Sequence, residues 1–214
     1  MKESLAIKRQ RVKDISAIFG KIYSDADCTL EYTTALELLI ATQLAAQCTD
    51  ARVNIVTKDL FVKYPDVYAF ANADELELQE DIRSTGFFRN KARNIIACCR
   101  MLIDEYNGEV PGKMEELLKL PGVGRKTANL VLGDFFGIPG VVVDTHATRL
   151  SNRMGLTTNQ DPYKIELDLQ KIVPQEEWAD FCHKLVYHGR EYCNARKPKC
   201  DTCPISHICP KRGV

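Results

Sequence analysis

The stretch LPGVGRKTAN, Leu120 to Asn129, sets a proline and two glycines ahead of what its pattern predicts to be a helix, with Lys126 on that helix's first turn. A helix N-terminus carries roughly half a positive charge and leaves backbone N–H groups unpaired, so it attracts anions and disfavours an ammonium. Arg125 adds a like charge next door. Stability does not explain a lysine there. A position that disfavours the charged amine favours the neutral one, which is the form that attacks a carbon centre. Gly122 and Gly124 permit positive φ and leave the backbone uncovered, so the turn offers bare N–H groups to a phosphate. The plain alternative is a tight connection between two helices, with no ligand.

Two further groups could do chemistry. In VDTH, Asp144 has the form of an N-cap for a helix bearing Ala147, Leu150 and Met154, and the local sequence supports a cap without requiring more. Cys193, Cys200, Cys203 and Cys209 are separated by six, two and five residues. Four thiols in so short a span read as a metal site. Zinc ribbons pair two CxxC knuckles and this array has one, so the spacing leans to a [4Fe–4S] cluster while leaving zinc open. Arg196, Lys197 and Lys199 lie between the first two cysteines, in a locally basic tail suited to a phosphate backbone. Cys28, Cys48, Cys98, Cys99 and Cys182 show no such arrangement and read as small buried hydrophobes.

The elements that must position these residues are helical. Thr34 and Glu37 form a capping box ahead of Leu36, Leu39, Ile40 and Leu44. Ala128, Val131, Leu132 and Phe135 recur at helical spacing until Gly137 and Pro139 stop the pattern, and Met114, Leu117 and Leu118 mark a shorter helix before the turn. Val141 to Val143 read as an extended linker into Asp144. The fold class is all-α, with a boundary placed at GIPG, Gly137 to Gly140. A length of 214 residues allows one or two domains. Nine cysteines in a reducing compartment argue against a disulfide framework. No apolar run reaches a membrane-spanning length, and the polar start MKESLAIKRQRVKD does not resemble a signal peptide. A cytoplasmic location is expected, associated with the nucleoid in a prokaryote. Net charge is zero, so a polyanion partner is expected to meet one face only.

LPGVGRKTAN, VDTH some twenty residues on, HGREYC at His188 to Cys193 and the terminal cysteines together resemble the endonuclease III family, DNA repair glycosylases of the helix-hairpin-helix superfamily. The resemblance runs from the first helices to Cys209. It implies two helical domains with the DNA cleft between them: a six-helix barrel with the hairpin over residues 28–138, and a discontinuous [4Fe–4S] cluster domain built from 1–27 and 139–214. It implies Lys126 as nucleophile and Asp144 as catalytic carboxylate. Gln47 matches a residue that enters the gap left by the displaced base, and Phe87 an apolar wedge on the opposite strand. The four clustered cysteines match the cluster ligands, while Gly122, Gly124, Arg125, Arg196, Lys197 and Lys199 are expected at the DNA. Ala45 departs from the serine often found there, which puts a hydroxyl contact and the lesion preference in question.

The activity so implied is a bifunctional glycosylase and AP lyase of base excision repair, acting as a monomer on double-stranded DNA with damaged pyrimidines or abasic sites. The lysine would displace an oxidised pyrimidine, hold the sugar as a Schiff base and cut the strand by β-elimination. Asp144 would act as a base or as an electrostatic stabiliser. A monofunctional mismatch glycosylase shares the hairpin and the carboxylate but lacks the lysine. The adenine-mismatch type also carries a further C-terminal domain, against which the end at Val214 speaks. A non-catalytic DNA-binding module would use the hairpin as a phosphate clamp and the cysteines as a zinc staple.

Overall fold

The computed structural model describes residues 3–214, and among these the regular elements are all helical, as the sequence pattern requires. The chain divides into two compact units, Cys28–Ile138 and a second made of Pro139–Val214 with the chain up to Asp27. No helix among the described residues is long and apolar enough to cross a membrane.

Helix α1 (Leu5–Ile22) precedes the unit Cys28–Ile138, which holds α2 (Ala35–Leu44), α3 (Asp50–Lys63), α4 (Val67–Ala71), α5 (Glu75–Asp81), a 3-10 turn at Arg83–Thr85, α6 (Phe88–Tyr106), α7 (Met114–Leu117) and α8 (Arg125–Asp134). The capping box at α2 is formed: the Thr34 hydroxyl accepts from the Glu37 N–H at 3.1 Å, and the Glu37 carboxylate accepts from the Thr34 N–H at 3.2 Å. Leu38, Leu39, Ile40, Ala41 and Leu44 are all buried, so α2 is a central helix without a solvent face, packed by α3, α6 and α8. Along α6 the buried stripe runs through Lys91, Ala92, Ile95, Cys98, Cys99 and Leu102, against α4 and α5.

Ala128, Val131 and Leu132 of α8 are buried as their spacing requires, but Phe135 is 41% exposed. The helix has already ended there. Gly137 takes φ +64° and the Ile138 N–H bonds back to the Leu132 carbonyl at 2.9 Å, a C-terminal wrap that swings Phe135 off the stripe. Phe135 packs edge-on to Phe136 instead. Of Met114, Leu117 and Leu118, only Leu117 is fully buried, because α7 is a single turn and offers one inward position.

The other unit packs α1 with α9 (Thr145–Arg153), α10 (Pro162–Gln170) and α11 (Trp178–Glu191). Val12, Ile15 and Phe19 meet Ala147, Leu150, Ile165, Leu169, Phe181 and Leu185 in its core. Val141 to Val143 are extended, as read from the sequence, and Val141 and Val143 are buried in that core, so the segment leading to Asp144 is anchored. Gly189, inside the HGREYC motif, lets α11 approach α9: a Cβ there would overlap the His146 ring. Beyond Glu191 the chain has no further helix, and Ile205 is its one deeply buried apolar side chain.

Candidate functional site

In the unit Cys28–Ile138, Leu120 and Val123 anchor the turn between α7 and α8 by burial. Gly122 takes φ +76°, and a Cβ there would stand 2.8 Å from Gln43 Oε1 and 2.9 Å from Asn94 Cβ, so glycine is required twice over. Gly124 differs from expectation. Its backbone is extended, φ −101° and ψ 176°, and it serves as the N-cap of α8 with open space where a side chain would be. Its absent side chain, not positive φ, is what leaves the N–H groups of the first turn uncovered. Arg125 opens α8, followed by Lys126, which is exposed so that its amine is reachable from outside.

Gln47 and Phe87 lie on turns of the same unit. Gln47 is exposed, past the end of α2, with φ +55°. Phe87 is 62% exposed at the start of α6, with φ +49° after Gly86 at +71°. Positive φ in a bulky residue is strained, on the order of 1–3 kcal/mol, and among the described residues only Asn107 and Lys211 share it outside glycine. The half-buried neighbour Phe88 lies against Arg83 and Arg89. Ala45 caps the C-terminus of α2.

Asp144 belongs to the other unit, where its Oδ1 accepts the Ala147 N–H at 2.7 Å as the N-cap of α9. The cap fixes the carboxylate's direction. Ala147, Leu150 and Met154 are buried beneath it.

Cys193, Cys200, Cys203 and Cys209 are unpaired thiols that line one recess, together with Arg153, His188 and Tyr192. No three His, Cys, Asp or Glu side chains among the described residues converge as one metal ion demands. An iron–sulfur cluster is held by cysteine thiolates. The donor set of four thiols around a recess fits such a cluster. Arg196, Lys197 and Lys199 are exposed on the loop between the first two cysteines. Cys98, Cys99 and Cys182 are buried as expected, but Cys28 and Cys48 are only partly so, since both sit in loops rather than on buried helix faces.

Several supporting residues carry no local signal. Arg153 Nη1 donates to Cys193 Sγ at 3.3 Å and to the Asn194 carbonyl at 2.8 Å, while its Nη2 donates to the Ala195 carbonyl at 2.8 Å. Arg149 Nε donates to the Cys193 carbonyl at 3.1 Å. The two arginines of α9 thus hold the start of the basic loop. His188 is buried, and burial lowers its pKa to about 4, which keeps the ring neutral near pH 7. Its Nε2 is 3.4 Å from Cys203 Sγ and its Nδ1 3.2 Å from the Tyr23 hydroxyl. Its place in HGREYC, five residues before Cys193, is the hint the sequence offers.

Residues 40–175 match the HhH-GPD superfamily base excision DNA repair protein family, and residues 193–209 match the iron-sulfur binding domain of endonuclease III. Endonuclease III of Synechocystis sp. is 55% identical over 207 residues, covering 96% of this chain and 94% of that protein. Two solved structures are similar at a TM-score of 0.91 and 47% identity. One is a trapped endonuclease III–DNA covalent intermediate with an estranged adenine, matched over 95% of this chain and 96% of that one. The other is a non-covalent endonuclease III–DNA complex, matched over 95% of each chain.

Proposed function

Since the chain belongs to the endonuclease III family of base excision repair proteins, we propose that its chemistry runs through Lys126 as nucleophile and Asp144 as catalytic carboxylate. The protein is a DNA glycosylase with AP lyase activity, binds DNA and carries a [4Fe–4S] cluster. Its substrates, on our reading, are oxidised pyrimidines and abasic sites in duplex DNA, and it acts as a monomer in the cytoplasm. We assign residues 28–138 as the barrel with the hairpin and the remainder as the cluster domain.

The observation that carries this reading is an accessible amine one residue into a helix whose first turn is left bare by Gly124. Bare N–H groups take a DNA phosphate and so fix the strand beside the amine. A stacked base hides its glycosidic carbon, so the nucleotide must first leave the duplex, at a cost of a few kcal/mol that is smallest for damaged bases. Gln47 and Phe87 fill the gap. Lys126 then attacks C1′, the base departs, and the opened sugar remains as a Schiff base from which β-elimination cuts the strand on the 3′ side. Asp144, held by its cap, takes the proton from the amine or stabilises positive charge on the sugar. The [4Fe–4S] cluster supplies a structural cross-link held by Cys193, Cys200, Cys203 and Cys209. Arg196, Lys197 and Lys199, on the loop it braces, meet phosphates.

Borohydride reduction tests the reading. Mixed with a duplex carrying an oxidised pyrimidine or an abasic site, the protein is expected to give a covalent protein–DNA band, and none with undamaged duplex. Binding without a band from either damaged duplex would overturn the bifunctional assignment in favour of a monofunctional glycosylase or a plain binding module.

A further inference from the structure

We propose that Lys91 is a positioning residue that locks the two gap-filling turns into one unit, a proposal that rests on reading Gln47 and Phe87 as gap-filling. Lys91 is 6% exposed and stands on the buried stripe of α6, where the pattern calls for an apolar side chain. Its partners are carbonyls. Nζ donates to the Leu44 carbonyl at 2.7 Å and to the Thr85 carbonyl at 2.8 Å. Leu44 is the last residue of α2, three before Gln47, and Thr85 ends the 3-10 turn, two before Phe87. The Lys91 backbone N–H also bonds the Phe87 carbonyl at 3.1 Å. One residue therefore grips the chain on both sides of the Gly86–Phe87 pair with its positive φ values, and reaches the other turn as well.

Filling the space is not by itself a reason for a lysine at this place. Burial draws its pKa below the ordinary value, with nearby Cys48 acting in the opposite sense, so the ammonium is held against a desolvation penalty. A methionine would fill the same space without that penalty. What it would lack is donors: the carbonyls in the last turn of a helix have no intrahelical partner, and leaving one buried and unpaired is destabilising. The grip matters because both turns are strained and would otherwise relax towards negative φ. Thr85 and Leu44 share one ammonium, so the Gln47 and Phe87 turns are set jointly rather than one at a time.

The test uses the cluster-loaded protein with Lys91→Met, Lys91→Gln, Gln47→Ala and Phe87→Ala, folding and iron content being checked first. Each is assayed for single-turnover excision of one oxidised pyrimidine, placed either in paired duplex or in an unpaired bubble where no gap must be filled. A fluorescent base analogue opposite the lesion reports unstacking. Lys91→Met is expected to slow duplex excision about tenfold, the loss of one to two buried hydrogen bonds, with the bubble changing less than twofold and the fluorescence rise on binding lost. Lys91→Gln, which keeps N–H donors, should recover much of the duplex rate. Equal slowing on both substrates, a wild-type duplex rate for Lys91→Met, or no advantage of Gln over Met would overturn the proposal. Should Lys91→Met not fold, Lys91→Gln decides: a partial loss confined to the duplex supports the grip, and a loss equal on both substrates overturns it. If Gln47→Ala and Phe87→Ala excise from duplex at the wild-type rate, the gap-filling reading itself falls and takes this one with it. If those two lose duplex activity alone and Lys91→Met does not, only the role of Lys91 falls.

Discussion

Lys126→Ala is expected to lose the borohydride-trapped band and strand cutting altogether, a fall of at least about 10³-fold, while duplex binding changes by no more than about threefold. The separation between the two effects is the informative part. The bare N–H groups of the hairpin and the loop cations remain in the variant, so most of the phosphate contacts survive. Lys126 is exposed on the first turn of α8, and alanine there has high helix propensity and removes a cation from the positive end of the dipole. Thermal stability should therefore hold or rise by a few tenths of a kcal/mol. A catalytic role that opposes stability predicts this opposite pair of signs. A phosphate contact predicts another pattern: binding weakened uniformly across sequences, a shallower salt dependence, and cutting retained. Strand cutting that survives in Lys126→Ala would remove the nucleophile assignment.

Cys203→Ser should leave protein that is colourless and has lost most of the roughly four irons a [4Fe–4S] site holds. The chain after Glu191 has no helix and one deeply buried apolar side chain, Ile205, so its own packing is slight. A segment of that kind depends on a cross-link, and losing one costs about 2–5 kcal/mol where a native disulfide has been the measure. Trypsin offers a local readout, because Arg196 and Lys199 are already exposed and need only a mobile backbone to be cut. Cleavage there should become fast in the variant while α2 to α8 stay protected. Retained colour and iron would show that Cys203 is not a ligand, whereas iron lost with an unchanged digestion pattern would show that the segment holds its structure without the cross-link.

The parts of this molecule that were legible from sequence are those governed by neighbours in the chain. The capping box at Thr34, the cap at Asp144 and the turn at Gly122 follow from residues three or four positions apart, and all three are formed. Phe135 departs from its pattern because its spacing fits the stripe of α8 while the wrap at Gly137 that removes it is a matter of one backbone angle. At Gly124 the expected positive φ is absent while the uncovered backbone is present, since glycine serves an extended N-cap and a left-handed turn alike. Residue type alone points to burial for Cys28 and Cys48 and says nothing of whether a loop covers them. Lys91, Arg149 and Arg153 carry no local signal because their partners lie far along the chain: Lys91 reaches back 47 residues to Leu44, and Arg153 forward 41 to Asn194.

The left-handed backbone at Phe87 has a bearing on how this protein can be engineered. A glycine there would relieve the strain and would win in any screen that scores heat resistance alone, yet it would delete the exposed ring. Directed evolution for robustness and evolution for repair would pull this one position in opposite directions, so a hardened variant has to find its gains elsewhere and leave that kink in place.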